Sequence, residues 1–342
     1  MANPKLDFFR FKLKHKSREY KTFRDFMLES GKCKKQDSDF KIFNKLYGYF
    51  MNELNNDFAK NDSVKKVMTL ISNKGKQIIN KHWDERPQPD CAKNIIAGVV
   101  NGGTYGKERI LTELGHKDNA NNLKADQPVL QYYYIFVYLP LDHNEGFVMI
   151  HTDSAEESIS NFARKYVAQL FTTGDYQKPT MQIFAPKCFQ DEYRKGAVLK
   201  SMSFQTTFVD AQIEENNPIK DVMSDYDVKI SITPKGEGDK SLRRMGNIRD
   251  YLMERAFGVE TYKKGLGEFD RCTVNTINKN TKSSKTFEWD MRDAALTPVV
   301  YLKDKVALNN DGTVNLVALD IYSKRLFDSQ VLKELRPDKY VD

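Results

Sequence analysis

Cysteine, histidine and long apolar runs are all scarce in this 342-residue chain, and each shortage closes off a class of protein. The four cysteines (Cys33, Cys91, Cys188, Cys272) lie 58 or more residues apart, with no CxxC pair and no histidine beside them. That spacing argues against a zinc site and a disulfide framework, and points to reduced thiols in a cytoplasmic protein. The longest apolar run, residues 132–139, is eight residues long, far short of the roughly 20 needed to cross a bilayer. Charges interrupt every apolar pair of the opening MANPKLDFFRFKLKHK, so no secretory signal and no membrane association are expected.

What is present is a globular composition, with 40% hydrophobic, 12% aromatic and 30% charged residues, and enough length for two cores. The charge is placed unevenly. The first 35 residues hold eleven Lys or Arg against four acids, which equals the +7 of the whole protein, and the other 307 residues carry 43 of each sign. A basic segment gathered in one place can meet a polyanion, whereas evenly spread charge serves solubility.

Residues 6–13 alternate with period two, Phe9, Phe11 and Leu13 on one face and Arg10, Lys12 and Lys14 on the other, which predicts a half-buried strand. Helices are predicted over 20–28 and 39–58, the second capped by Asp39 and burying Phe40, Phe43, Tyr47, Phe50, Met51 and Leu54. Strand patterns follow at 64–71 and 77–83 around an Asn73-Lys74-Gly75 turn, then at 93–100 and 109–114 around a hairpin turn at 102–106, with 116–127 read as a polar surface loop. Residues 132–139 and 147–151 are the most strand-like, and a helix capped by Asp153 or Ser154 runs to Phe171.

A boundary is expected at 175–179. Beyond it come strands at 181–184, 198–209 and 226–233, a helix at 241–257, strands at 269–277, 285–290 and 299–302, and a final helix over 313–335. The pattern is α+β: two domains, 1–176 and 177–342, each a largely antiparallel sheet with helices packed on it.

Catalytic motifs are missing. The sequence has no GxSxG, HExxH, kinase set or strand-led GxGxxG, and no cofactor or metal is expected. Gly102-Gly103-Thr104-Tyr105-Gly106-Lys107-Glu108 fails as a phosphate loop, because Glu108 stands where magnesium chemistry needs a hydroxyl. Its GxxG portion fails as a KH clamp, because it lies between strands. His143 and His151, with Asp142 and Asp153, are predicted about 17 Å apart across a hairpin, so they do not converge. Arg10 and His15 match the R-x4-H spacing of HEPN nucleases, yet on a strand rather than a helix. Asp270, Glu288 and Asp290 form the weak outline of a divergent metal-dependent nuclease, without the lysine such sites use.

The basic residues are better candidates. Arg10, Lys12 and Lys14 share a strand face, Lys16 and Arg18 follow, and Arg243, Arg244 and Arg249 decorate the predicted 241–257 helix; cations on rigid elements are what phosphate contact requires. Residues 94–111 (NIIAGVVNGGTYGKERIL) and 130–171, with a Gly-Gly-x-x-Gly turn, a strand ending in Leu-Pro, a Gly-led strand and a helix, resemble an uncharacterised family of bacterial proteins from phage-defence and mobile-element neighbourhoods. The resemblance covers about a third of the chain and implies a cytosolic, defensive setting, with no catalytic residue carried over.

The expectation is therefore a nucleic-acid-binding component of an anti-phage complex, contacting the DNA or RNA backbone and assembling with a protein partner. The alternatives are the nuclease, and a non-catalytic interaction protein whose Tyr and Phe serve homo-oligomer contacts.

Overall fold

A computed structural model describes residues 4–71, 80–153, 158–207, 227–233, 271–278, 284–289 and 300–340. The chain opens with β1 (Lys5–Lys12), β2 (Lys14–His15), α1 (Phe23–Glu29) and α2 (Asp39–Asn56). Strands β3 (Ala59–Asn61), β4 (Lys66–Thr69), β5 (Gln88–Asp90), β6 (Ile95–Thr104), β7 (Arg109–Glu113), β8 (His116–Leu123), β9 (Val129–Tyr138) and β10 (Glu145–Thr152) follow. Then come α3 (Ser160–Leu170), β11 (Tyr176–Gln177), β12 (Gln182–Ile183), α4 (Lys187–Gly196), β13 (Ala197–Thr207), β14 (Asp227–Ile232), β15 (Arg271–Asn278), β16 (Ser284–Trp289) and β17 (Val300–Tyr301). The last elements are α5 (Leu316–Leu326), a π-helical turn Phe327–Val331, α6 (Leu332–Leu335) and a 3-10 turn Pro337–Lys339.

The fold is α+β, and every pairing between these strands is antiparallel. Contacts divide the chain into two compact units, Met1–Phe184 with Val299–Asp342, and Ala185–Pro298. The expected domain 177–342 is thus interrupted, because the chain from Val300 returns to the first unit, where β17 pairs with the start of β1.

The first unit is built on a nine-stranded sheet in the order β12-β1-β10-β9-β6-β4-β3, with β17 on β1 and β5 on β6. Helices cover both faces rather than one. On one face α1, α2 and α3 bury Phe11, Phe23, Phe26 and Phe171, whose rings meet at 5.1 to 5.9 Å. On the other, Phe327 from the π turn packs on Phe136 at 4.9 Å and on Tyr138 at 4.8 Å. A strand buried on both faces has no use for alternation, and that is why residues 132–139 read as one unbroken apolar run.

Local signals set the helices. The Thr22 hydroxyl accepts from the Asp25 N–H, and the Asp25 carboxylate accepts from the Thr22 N–H at 2.8 Å, a capping box that starts α1. Ser38, not Asp39, caps α2 by accepting from Lys41 N–H. Six apolar residues of α2 face the core (Ile42, Phe43, Leu46, Phe50, Met51, Leu54), each contributing about 2 kcal/mol when fully buried. Phe40, expected among them, is 67% exposed, because it lies in the first turn on the outer side. Helix α3 begins at Ser160 without a side-chain cap. Asp153 instead accepts from the His151 ring and the Val314 N–H.

Two readings of the glycine-rich segment change. Gly102 and Gly103 are not in a turn: they sit inside β6, paired with Met68 and Val67 of β4 on one side and Gln131 and Leu130 of β9 on the other. A Cβ on Gly103 would collide with the Val129 carbonyl, so glycine here permits close approach of strands. The chain turns at Gly106, whose φ is +89°. The segment read as a loop, 116–127, contains β8, which pairs with β7.

The second unit carries α4, which the sequence reading did not anticipate, and a four-stranded sheet in the order β14-β13-β15-β16. The predicted helix 241–257 lies outside the described residues, as do the Asn73-Lys74-Gly75 turn and the cap candidate Ser154. No described helix is long and apolar enough to cross a membrane.

Candidate nucleic-acid interface

The N-terminal basic segment is built into the sheet edge region rather than hanging free. Strand β1 pairs along its whole length with β10, from Lys5 opposite Thr152 to Lys12 opposite Glu145. The period-two pattern holds from Phe9 onward, with Phe9, Phe11 and Leu13 buried and Arg10, Lys12 and Lys14 exposed, whereas at the start of β1 Leu6 and Phe8 are buried on the opposite face as well. The chain then continues into β2, where Lys14 and His15 pair with Gln177 and Tyr176 of β11, and turns at Arg18, whose φ is +63°.

Strand pairing also supplies a counter-charge. Glu145, with a side chain only 10% exposed, sits 3.3 Å from the Lys12 ammonium and 3.9 Å from the Arg10 guanidinium. Arg10 also lies 5.8 Å over the Phe184 ring. Lys14 donates to the Thr180 hydroxyl at 3.1 Å. Lys16 and Arg18 are exposed, and among the described residues neither they nor Lys14 has a carboxylate in ion-pair range. The expected patch therefore separates into two parts: Arg10 and Lys12 share one nearly buried acid, while Lys14, Lys16 and Arg18 point their charge at solvent.

Behind this ridge the acids are already engaged. Glu29 takes Lys21 at 2.8 Å and the Tyr176 hydroxyl at 2.5 Å. The Lys21 hydrogen bond, with that from Tyr176, holds the Glu29 carboxyl below its usual range, while burial and the Glu29 charge push the Tyr176 phenol up. His15 packs edge-on against Tyr176 with centroids 4.9 Å apart. Arg24 pairs with Asp39, and Lys41 and Lys45 with the buried Asp37. Lys32 lies 4.3 Å over the Tyr49 ring. Three of the eleven cations in the first 35 residues, Lys21, Arg24 and Lys32, are thus spent on fastening α1 and α2, where such pairs add little net attraction for a distant polyanion.

Arg243, Arg244, Arg249, Asp270 and Asp290 lie outside the described residues, and Glu288 is on β16 opposite Thr273. His143 accepts from the Glu145 N–H, and His151 contacts Asp153, so the two histidines have separate structural partners. Among the described residues no three His, Cys, Asp or Glu gather as a metal set.

A cleft of about 230 Å³ opens in the first unit between residues 84–88 and α5. It is lined by Glu85, Arg86, Gly98, Tyr134, Asp320 and Lys324, among others. Most of its polar groups pair among themselves: the Tyr134 hydroxyl donates to Asp320 at 2.9 Å, Lys324 donates to Asp320 at 2.8 Å, and Arg86 stacks on Trp83 at 4.5 Å, while Glu85 Oε2 is buried without a hydrogen-bond partner. Burial and the Asp320 charge drive the Tyr134 phenol well above its ordinary range, which leaves it protonated and poorly suited as a base or nucleophile. Cys33 and Cys91 offer no alternative, since burial pushes both thiols up, away from the reactive thiolate.

What the sequence reading missed is Glu145. Its only sequence signal is its place at the head of a Gly-led strand, and its role appears once β1 and β10 are laid side by side. No family model matches the chain, and no curated protein or solved structure matches it.

Proposed function

We propose that this protein binds nucleic acid through the phosphate backbone, using the ridge Lys14, Lys16 and Arg18, and that any catalysis belongs to a partner. One observation carries the reading: three successive exposed cations, Lys14, Lys16 and Arg18, stand on a braced segment with no carboxylate within ion-pair range among the described residues. Lys14 stands on β2 and Lys16 and Arg18 on the turn that follows it, closed by the Arg18 N–H donating to the His15 carbonyl at 3.0 Å, so the three charges are gathered within five residues. Arg10 and Lys12 are set aside, since both share their charge with Glu145 and Arg10 also lies over the Phe184 ring. Membership of a bacterial defence complex is carried by the resemblance of residues 94–111 and 130–171 alone.

The test is equilibrium binding to a DNA duplex and an RNA duplex across salt concentration. Each phosphate contact contributes about −0.9 to the slope of log K against log salt on duplex DNA. Lys14→Gln, Lys16→Gln and Arg18→Gln together should reduce the slope by about 2 to 3. A slope that stays where it was removes the ridge as the contact.

A further inference from the structure

Strands β7 and β8 form a two-stranded sheet of their own, paired with no other described strand. Residues 109–114 and 118–122 are exposed, and three large apolar side chains fall within five positions: Ile110 is 71% exposed, Leu111 52% and Leu114 fully. A lone hairpin is marginal in water, and each outer edge offers a row of unpaired N–H and C=O groups. Natural edges are blunted by lysine, proline or a bulge. Strand β7 (Arg-Ile-Leu-Thr-Glu) has neither lysine nor proline, and the irregularity falls on its neighbour: Glu113 and Leu111 of β7 face His116 and Asn121 of β8, so the extra residues bow out of β8 and leave β7 straight.

We propose that β7 is a self-association edge, on which a second copy of this chain adds its own β7 antiparallel about a two-fold axis. The sequence of the strand is self-complementary in that register. Centred on Leu111, the pairing sets Leu111 against Leu111 of the second copy, Ile110 against Thr112, and Arg109 against Glu113, the last occurring twice by symmetry. Opposite charges directly across an antiparallel pair attract and like charges repel. The ribbon as a whole has balanced charge, with Lys107, Arg109, Lys117 and Lys124 against Glu108, Glu113, Asp118 and Asp126. That balance favours a protein edge over a phosphate backbone as the occupant. The result is a four-stranded ribbon that covers Leu111 and satisfies both β7 edges. This inference stands apart from the nucleic-acid reading and is tested without nucleic acid.

The experiment is sedimentation equilibrium of the full chain between about 1 and 100 µM, spanning the range of a small interface. The mass should rise from monomer to dimer with concentration. Arg109→Glu and Glu113→Arg alone each place like charges across the axis twice, and each should weaken the dimer about tenfold or more. The double exchange Arg109→Glu with Glu113→Arg should restore it. All three variants alter exposed side chains, and circular dichroism checks that they fold. A monomer at every concentration, or single and double variants that behave alike, overturns the proposal. So does a ribbon whose variants change duplex binding while the mass stays put, because the occupant would then be nucleic acid.

Discussion

Arg336 and Asp142, 194 positions apart in the chain, meet in a two-pronged contact, Nη1 to Oδ1 at 2.8 Å and Nη2 to Oδ2 at 3.0 Å. The guanidinium is 4% exposed and also donates to Asp338, while Lys339 reaches Asp142 at 3.1 Å. This cluster fastens the end of the chain to the turn between β9 and β10, the same turn that delivers Glu145 to the basic ridge.

The clasp makes stability depend on acid. Hydrogen bonding from Arg336, assisted by Lys339, lowers the Asp142 carboxyl from 3.8 to about 2. Between those values the unfolded chain holds the proton and the folded one does not, so the stabilisation is whole above 3.8 and gone below about 2. Urea midpoints measured from pH 5 to pH 2.5 should fall more steeply for the native protein than for Asp142→Asn. Parallel curves would show that the contact adds nothing.

Two glycines should respond to alanine in opposite directions. At Gly103 the new methyl would strike the Val129 carbonyl between paired strands, which should cost about 3 kcal/mol through displaced backbone. At Gly48, within α2, nothing lies within 4 Å, and alanine should gain about 1 kcal/mol from helix propensity. Chemical denaturation of both variants reads the difference, and equal effects would contradict the placement of Gly103 in β6.

Glu145 is the brake on the ridge. Glu145→Gln removes the charge that Arg10 and Lys12 share while keeping the shape. Duplex binding should then tighten, and its salt slope should steepen by about 1 to 2 as those cations become available to phosphate. An unaltered slope would mean that neither Arg10 nor Lys12 reaches the polymer even when released.

Elements whose signal is local were legible in the sequence. The alternation of Phe9, Arg10, Phe11 and Lys12 places β1, and the spacing of Phe43, Phe50 and Leu54 places α2, because burial on one side imposes a period. Features that depend on a distant neighbour were not. Gly102-Gly103 looks like a turn until β9 is seen pressing on it. Polar β8 looks like a loop because neither of its faces is buried. Phe327 belongs to the first unit only because Phe136 and Tyr138 leave a face for it. The ridge itself was readable as composition, but which of its cations are free was fixed by Glu145, and register between strands 130 residues apart leaves no local trace.

Strand β1 also determines what the inserted unit can be. Gln182 and Ile183 pair with Arg10 and Phe9 as the chain leaves, and Val300 and Tyr301 pair with Leu6 and Lys5 as it comes back. Departure and return share one rim of a single strand, roughly 10 to 14 Å apart along it. About four residues would bridge that gap, so joining Phe184 to Val299 by a short linker should leave the ladder of the parent sheet intact.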